Sequence, residues 1–333
     1  MTGNQLSRYG AISRMLEMTP GKVFFVKQSA DTDFSEFNNE FPADQDGIPR
    51  VYTTIQGAVT AAATYGSPCK IYVFSGEMAA GATDPVSYTE NVIIPATAAG
   101  IEIIGMGHRT QGGLPQLKTG TATTTALLTV RAPGVRIANI GFNGVGATGG
   151  GILLDDDGST KSAFGTTIEN CHFKNCVGST ATNAATGGAI QWASTGGAWQ
   201  VRILNNRFYK NVGDVVLKGT SVSVPQDVVI EGNVFGDADG TSTDCNLYLA
   251  AGSGMTGLVI RNNDFSIFPN LTSGVNKNYL VLTGCTGILS GNRFGSNGKT
   301  FGAAANVLVP ATVLMAANYQ EKSTSGSGEV FRT

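Results

Sequence analysis

Two acidic clusters carry the residue types that hold Ca²⁺: Asp155, Asp156 and Asp157, and Asp237 with Asp239 and Asp244. Such a hard cation takes oxygen ligands, carboxylates above all. Both clusters run into glycine, at Gly158 and Gly240, and Asp-Gly is a turn signal before it is a ligand signal. They stand as calcium candidates, with a turn or solvated loop as the preferred reading. Glycoside hydrolysis needs two carboxyls about 5–9.5 Å apart, and Glu169 and Glu231 are the pair that a stacked fold could bring toward each other. His108 and His172 are the only histidines. His172, with Cys171 and Cys176, lacks a fourth ligand and zinc-like spacing, which favours a structural role. Trp192, Trp199 and Tyr209 form an aromatic group that suits a sugar ring, with core packing or a subunit contact standing at least equal to it. Asn270-Leu271-Thr272 fits a glycosylation sequon. No phosphate-cradling glycine motif occurs, and no catalytic residue, resident metal or cofactor is assigned.

These residues must be positioned by a repeat. Val135-Arg136-Ile137 precedes Phe142, Ile168 precedes Phe173, and Val201-Arg202-Ile203 precedes Asn205-Asn206 and Phe208. Ile230 then precedes Asn233 and Phe235, Ile260 precedes Asn262-Asn263 and Phe265, and Leu289 precedes Asn292 and Phe294. A degenerate copy ends at Tyr319, and the aromatic-to-aromatic steps are 31, 35, 27, 30, 29 and 25 residues. Recurrence on this scale marks a solenoid. Further strand-like pieces lie between copies, without helical periodicity, and the apolar positions hold Ile, Val and Phe rather than Leu. A right-handed parallel β-helix satisfies all of this. Successive coils lie about 4.8 Å apart. Ile137, Ile168, Ile203, Ile230 and Ile260 should therefore stack as one ladder, and Phe142, Phe173, Phe208, Phe235, Phe265 and Phe294 as another. Asn206, Asn233, Asn263 and Asn292 should occupy the bend, tolerating left-handed backbone and satisfying turn amides. Glu169 and Glu231 then lie two coils apart, with Leu204 between them. The richest loop is expected at 178–188.

The organisation follows. Residues 1–21 read as an extended arm, 22–66 as a lead-in strand, loop and capping helix, 67–322 as the β-helix, and 323–333 as a tail. The stretch from Asp31 to Arg50 reads as acidic and turn-rich. The one helix expected runs over 53–65, with Thr53 and Gln56 as a capping box and Gly66 at its end.

Charged residues make up 14% and the net charge is −2. This excludes both a charge-rich disordered chain and a basic field for nucleic acid or an anionic membrane surface. No apolar run is long enough for a spanning helix, and the first residues lack the apolar core of a secretion signal. The five cysteines are odd in number and scattered. They read as free thiols of a protein folded in a reducing cytoplasm.

The segment from Val51 through Thr54-Ile55-Gln56 to Ala63, followed by Ile71-Tyr72-Val73-Phe74 and Tyr88 to Ile94, resembles the opening of pectin-lyase-like β-helix proteins. That superfamily includes lyases, hydrolases, epimerases and virion proteins, so the resemblance implies a fold more than an activity. Its pectate lyases imply Ca²⁺ on sheet carboxylates with an arginine base, for which Arg202, Arg207 or Arg261 would be the candidates. In this repeat, however, those arginines alternate with inward apolar residues and simply face solvent. The paired-Asp and Gly-His-Gly patterns of polygalacturonases are absent. A second segment, Pro20-Gly21-Lys22-Val23-Phe24-Phe25-Val26 with Phe41-Pro42-Ala43-Asp44 and Asp46 to Tyr52, is similar to structural proteins of tailed bacteriophages. It implies a non-enzymatic virion protein made in the host cytoplasm, anchored through residues 1–21 to a capsid or other virion protein and assembled as a homotrimer. The alternatives are a polysaccharide-degrading enzyme of tail-spike type and a glycan-binding module that contacts a cell-surface glycan.

Overall fold

A computed structural model describes residues 21–66, 68–78, 80–82, 84–107, 113–120, 124–145, 149–155, 163–176, 188–193, 198–217, 224–236, 245–249, 254–265, 278–295, 307–320 and 330–331. Three sheets of eleven, ten and eight described strands, here A, B and C, run along the chain as a parallel β-helix. Each coil contributes one strand to each sheet in the order A, B, C. Ile137, Ile168, Ile203, Ile230 and Ile260 are in register on sheet A, and all are fully buried. Alternation along each strand sends these residues inward and their neighbours outward.

The phenylalanine ladder on sheet B forms as expected. From Phe142 to Phe294 the ring centroids are 4.8, 5.0, 4.9, 4.7 and 4.9 Å apart, with interplanar angles of 16° or less. Coil spacing imposes this face-to-face geometry. Burial of each ring stabilises by about 1.5–3 kcal/mol.

At the A–B corner the asparagines divide the work differently from the expectation. The left-handed residue is the first of the pair: Asn139, Asn170, Asn205, Gly232, Asn262, Gly291 and Ala317, with φ between 51° and 68°. Asn206, Asn233, Asn263 and Asn292 stand one residue later, are not left-handed, and build a buried amide ladder continued by Asn318. Each Oδ1 accepts the backbone N–H of the preceding coil, at 2.8–3.1 Å. Each Nδ2 donates to the carbonyl of an interior residue such as Ile203 or Ile230, at 2.9 Å for both. The ladder thus satisfies the corner amides it reaches without water, whereas Asn139 Oδ1, at a corner before the ladder begins, is buried without a partner among the described residues. Gly232 takes the left-handed turn, at φ +68°, without side-chain strain, and a Cβ there would lie 2.4 Å from Asn205 Oδ1, which would have to move.

The N-terminal end is covered. Strand β1 (Val23–Val26) is hydrogen-bonded into sheet A between β2 (Val51–Tyr52) and β3 (Lys70–Phe74). The acidic stretch expected as turns contains a short helix, α1 (Phe34–Glu40). Phe37 and Phe41 pack against Phe25 with ring centroids 5.7 and 4.4 Å away, and this apolar contact overrides the poor local propensity. Helix α2 (Ile55–Tyr65) caps the first coils, with Thr54 rather than Thr53 as its N-cap and left-handed Gly66 ending it. Its first amides are held from outside the helix, by both carboxylate oxygens of Glu90. At the other end, Val330–Phe331 in the expected tail pairs antiparallel with Asn318–Gln320.

Candidate functional site

The residue before each ladder phenylalanine faces outward on sheet B, and register sets these residues in one column: Gln116, Gly141, His172, Arg207, Val234, Asp264 and Arg293. A second outward column holds Lys118, Asn143, Lys174 and Tyr209. Where the first column meets the A–B corner, a groove of about 390 Å³ opens. Asn170, His172, Asn205 and Arg207 line it, with Leu114 and Val234 as its apolar part. The chemistry available is amide, imidazole and guanidinium hydrogen bonding on a floor fixed by the asparagine ladder. Burial lowers the His172 pKa, with Lys174 and Arg207 adding to the effect and Asp84 opposing it. Lys174 Nζ is 2.6 Å from Asp84 Oδ2. Tyr209 is 41% exposed, and Lys210 Nζ lies 5.6 Å from its ring centroid. Sequence reasoning did not collect this group, although stepping from His172 to Arg207 by their shared place before phenylalanine would have found it.

The carboxylates on sheet A are engaged between coils. Glu102 receives Arg136 at 2.9 Å and Lys70 at 3.6 Å, and Arg136 also bonds Glu169. Glu231 receives Arg261 at 2.9 Å. Glu169 and Glu231 do lie two coils apart with Leu204 between them, but each is bonded to its own arginine.

The expected aromatic group separates. Trp192 follows Ile190 at the inward spacing on sheet C and is fully buried, its indole N–H donating to the Ala198 carbonyl at 3.1 Å. Trp192 is therefore a core residue, not a glycan or subunit contact. Trp199 is 43% exposed and donates to the Val224 carbonyl, just ahead of sheet A. Tyr209 stands on sheet B. Of the calcium candidates, Asp155 accepts from Arg131 Nε at 3.0 Å, whereas Asp156, Asp157, Asp237, Asp239 and Asp244 lie outside the described residues. So do the loop expected at 178–188 (all but Gly188), His108, Asn270 and the arm except Gly21. Among the described residues no group of three or more His, Cys, Asp or Glu is placed to hold a metal ion. Cys171 and Cys176 are buried free thiols. Burial pushes Cys171 up to about 12 and raises Cys176 as well, which makes both inert.

No protein-family model matches the chain, and no curated protein matches it. Solved structures do. A pectate lyase variant from Xanthomonas campestris is 16% identical over 83% of this chain and 80% of that chain, with a TM-score of 0.46. DFA-IIIase from Arthrobacter chlorophenolicus is 14% identical over 91% of this chain and 68% of that chain, with a TM-score of 0.41. PfbA, a surface adhesin of Streptococcus pneumoniae, is 15% identical over 80% of this chain and 85% of that chain, with a TM-score of 0.31. None of these three is described as a virion protein.

Proposed function

We propose that this chain is a saccharide-binding β-helix protein whose groove over His172 and Arg207 is the ligand bed, and that its sheet carboxylates tie coils together rather than cleave a glycan. The groove carries the reading. It offers planar hydrogen-bonding groups and an apolar edge at Val234, and an exposed aromatic, Tyr209, stands outside its lining on the same strand as Arg207. Polar groups that converge on a partly apolar wall are what orient a small ligand. The carboxylates described on sheet A are ion-paired across coils, which supports binding over hydrolysis. The test is a panel of soluble polysaccharides, followed by calorimetry for binding and by release of reducing ends or unsaturated products for cleavage. Binding without release is expected, weakened by Arg207→Ala. Cleavage of any polysaccharide that binds would overturn the non-catalytic part.

A second reading, a component of a tailed-bacteriophage particle, draws on the resemblance of residues 20–52 and on one surface feature. On the last coils the outer column of sheet A turns aliphatic, through Val229, Val259, Ile288 and Leu314. Ile288 and Leu314 are 42% and 57% exposed. An apolar stripe of this kind suits burial against a neighbour, as in a homotrimer. Sedimentation should then report a trimer that Leu314→Glu dissociates. Deleting residues 1–21 should abolish particle attachment without lowering the melting temperature. A monomeric wild type would remove the support that the stripe lends.

A further inference from the structure

Taking the groove as a saccharide bed, we infer that the saccharide it holds carries tetrahedral oxyanions, as sulfate or phosphate esters. The argument starts from a contrast between two faces of one molecule. On sheet A the cations as far as Arg136 are matched by carboxylates, Lys70 by Glu102 and Arg136 by Glu102 and Glu169. Only with Arg202 does an exposed cation there stand without an ion pair among the described residues. On the corresponding part of sheet B the cations are not so matched. Lys118, His172, Lys174 and Arg207 stand on its outer face with Lys210 at its edge, and the acid placed among them is Asp84, bound to Lys174.

Arg207 is exposed, and no ion pair to it occurs among the described residues. Its neighbours along the column are His172 on one side and Val234 on the other. The next acid in that column, Asp264, lies two coils away and is bound by Arg293. With coils about 4.8 Å apart, neither rung next to Arg207 in this column carries a carboxylate, so its guanidinium has no anionic partner across the strands. The chain as a whole is slightly acidic, with a net charge of −2, so this surplus is local.

Geometry narrows the anion. A carboxylate is satisfied by one planar guanidinium, as Glu231 is by Arg261 in this protein. Here two donors on adjacent strands, His172 and Arg207, line the groove side by side, and Lys174, held by Asp84, stands further along the His172 strand, on the same face. A sulfate or phosphate ester has three terminal oxygens and can engage more than one of them at once.

The experiment measures binding to the intact chain of dextran, dextran sulfate, a phosphomannan, a polyuronate and inorganic polyphosphate, at low and moderate salt. Wild type is compared with Arg207→Ala and with Lys118→Ala/Arg207→Ala, each checked for an unchanged melting temperature. Dextran sulfate, phosphomannan or both should bind, and whichever binds best identifies the ester. Arg207→Ala should weaken that binding at least about tenfold, the scale of one lost charge-assisted hydrogen bond. Polyuronate binding as tight as either ester would overturn the tetrahedral anion. Dextran binding equally well would overturn the charge requirement while leaving the saccharide bed intact. Binding of polyphosphate with the same affinity would show a bare electrostatic surface and overturn the inference. If no polysaccharide binds, the saccharide bed itself falls.

Discussion

Asn233→Ala tests the asparagine ladder at one of its two most heavily bonded rungs, the other being Asn292. The Asn233 Oδ1 accepts from the Asn206 backbone N–H at 2.8 Å and from Asn206 Nδ2 at 3.0 Å. Its Nδ2 donates to Ile203 O, Glu231 O and Asn263 Oδ1 at 2.9, 3.1 and 3.0 Å. Alanine deletes all of these and leaves the Asn206 N–H buried without an acceptor. An orphaned buried donor costs about 1–3 kcal/mol, and each lost bond a net of about 0.5–1.5 kcal/mol. Several of the partners keep a second bond, so the expected total is about 3–5 kcal/mol. A stack whose coils contact only their neighbours loses that energy at the two interfaces of this coil, to Ile203 and Asn206 on one side and Asn263 on the other. Amide exchange should accordingly rise on both sides of residue 233, and the guanidinium midpoint should fall. The control is Asn262→Ala, at the left-handed position with φ of 57°, where the cost is conformational and about 1–2 kcal/mol. The reasoning is refuted if Asn233→Ala stays within about 1 kcal/mol of wild type, or if the control costs as much.

Three further outcomes follow from other parts of the fold. Phe208→Ala, which removes a ring stacked on both sides, should cost about 3–5 kcal/mol by denaturant unfolding, and Phe208→Leu much less. Glu90→Gln should weaken the clasp on the Ile55 and Gln56 amides, costing about 1 kcal/mol and raising amide exchange in α2 before the coils are affected. His172 gives a pH dependence. Burial first, then Lys174 and Arg207, hold its folded pKa below the ordinary 6.5, so the unfolded chain takes the proton more readily. Its contribution is therefore complete above the unfolded pKa and erodes as pH falls from there toward the lower folded value. Melting temperatures across that interval should fall for wild type and show a shallower fall for His172→Gln.

The periodic part of the fold was legible because each coil repeats one requirement, an inward aliphatic, a corner and an inward aromatic. Reading Asn233 as both the left-handed residue and the one that satisfies turn amides held only in the second part: it accepts the Asn206 N–H, but the left-handed place is one residue earlier. The Asn205, Gly232, Asn262 and Gly291 series carries the conformation instead. Helix α1 was hidden by its acidic composition, although Phe34, Phe37 and Phe41 stand at helical spacing. Trp192 takes the core-packing reading rather than the glycan one, as its place two residues after Ile190, where the strand points inward, could have decided. The groove escaped notice for a different reason. It depends on neighbours about thirty residues apart, and only register makes His172 and Arg207 adjacent.

The A–B corner is two residues long in each coil from Arg136 to Phe294, so differences in coil length there fall at the other corners. Sheets A and B thereby keep a constant cross-section, and the molecule behaves as a ruler graduated in coils. Gaining or losing one coil would lengthen or shorten it by about 4.8 Å without disturbing the rungs on either side. Reach and the number of ligand rungs would then change together, in whole steps.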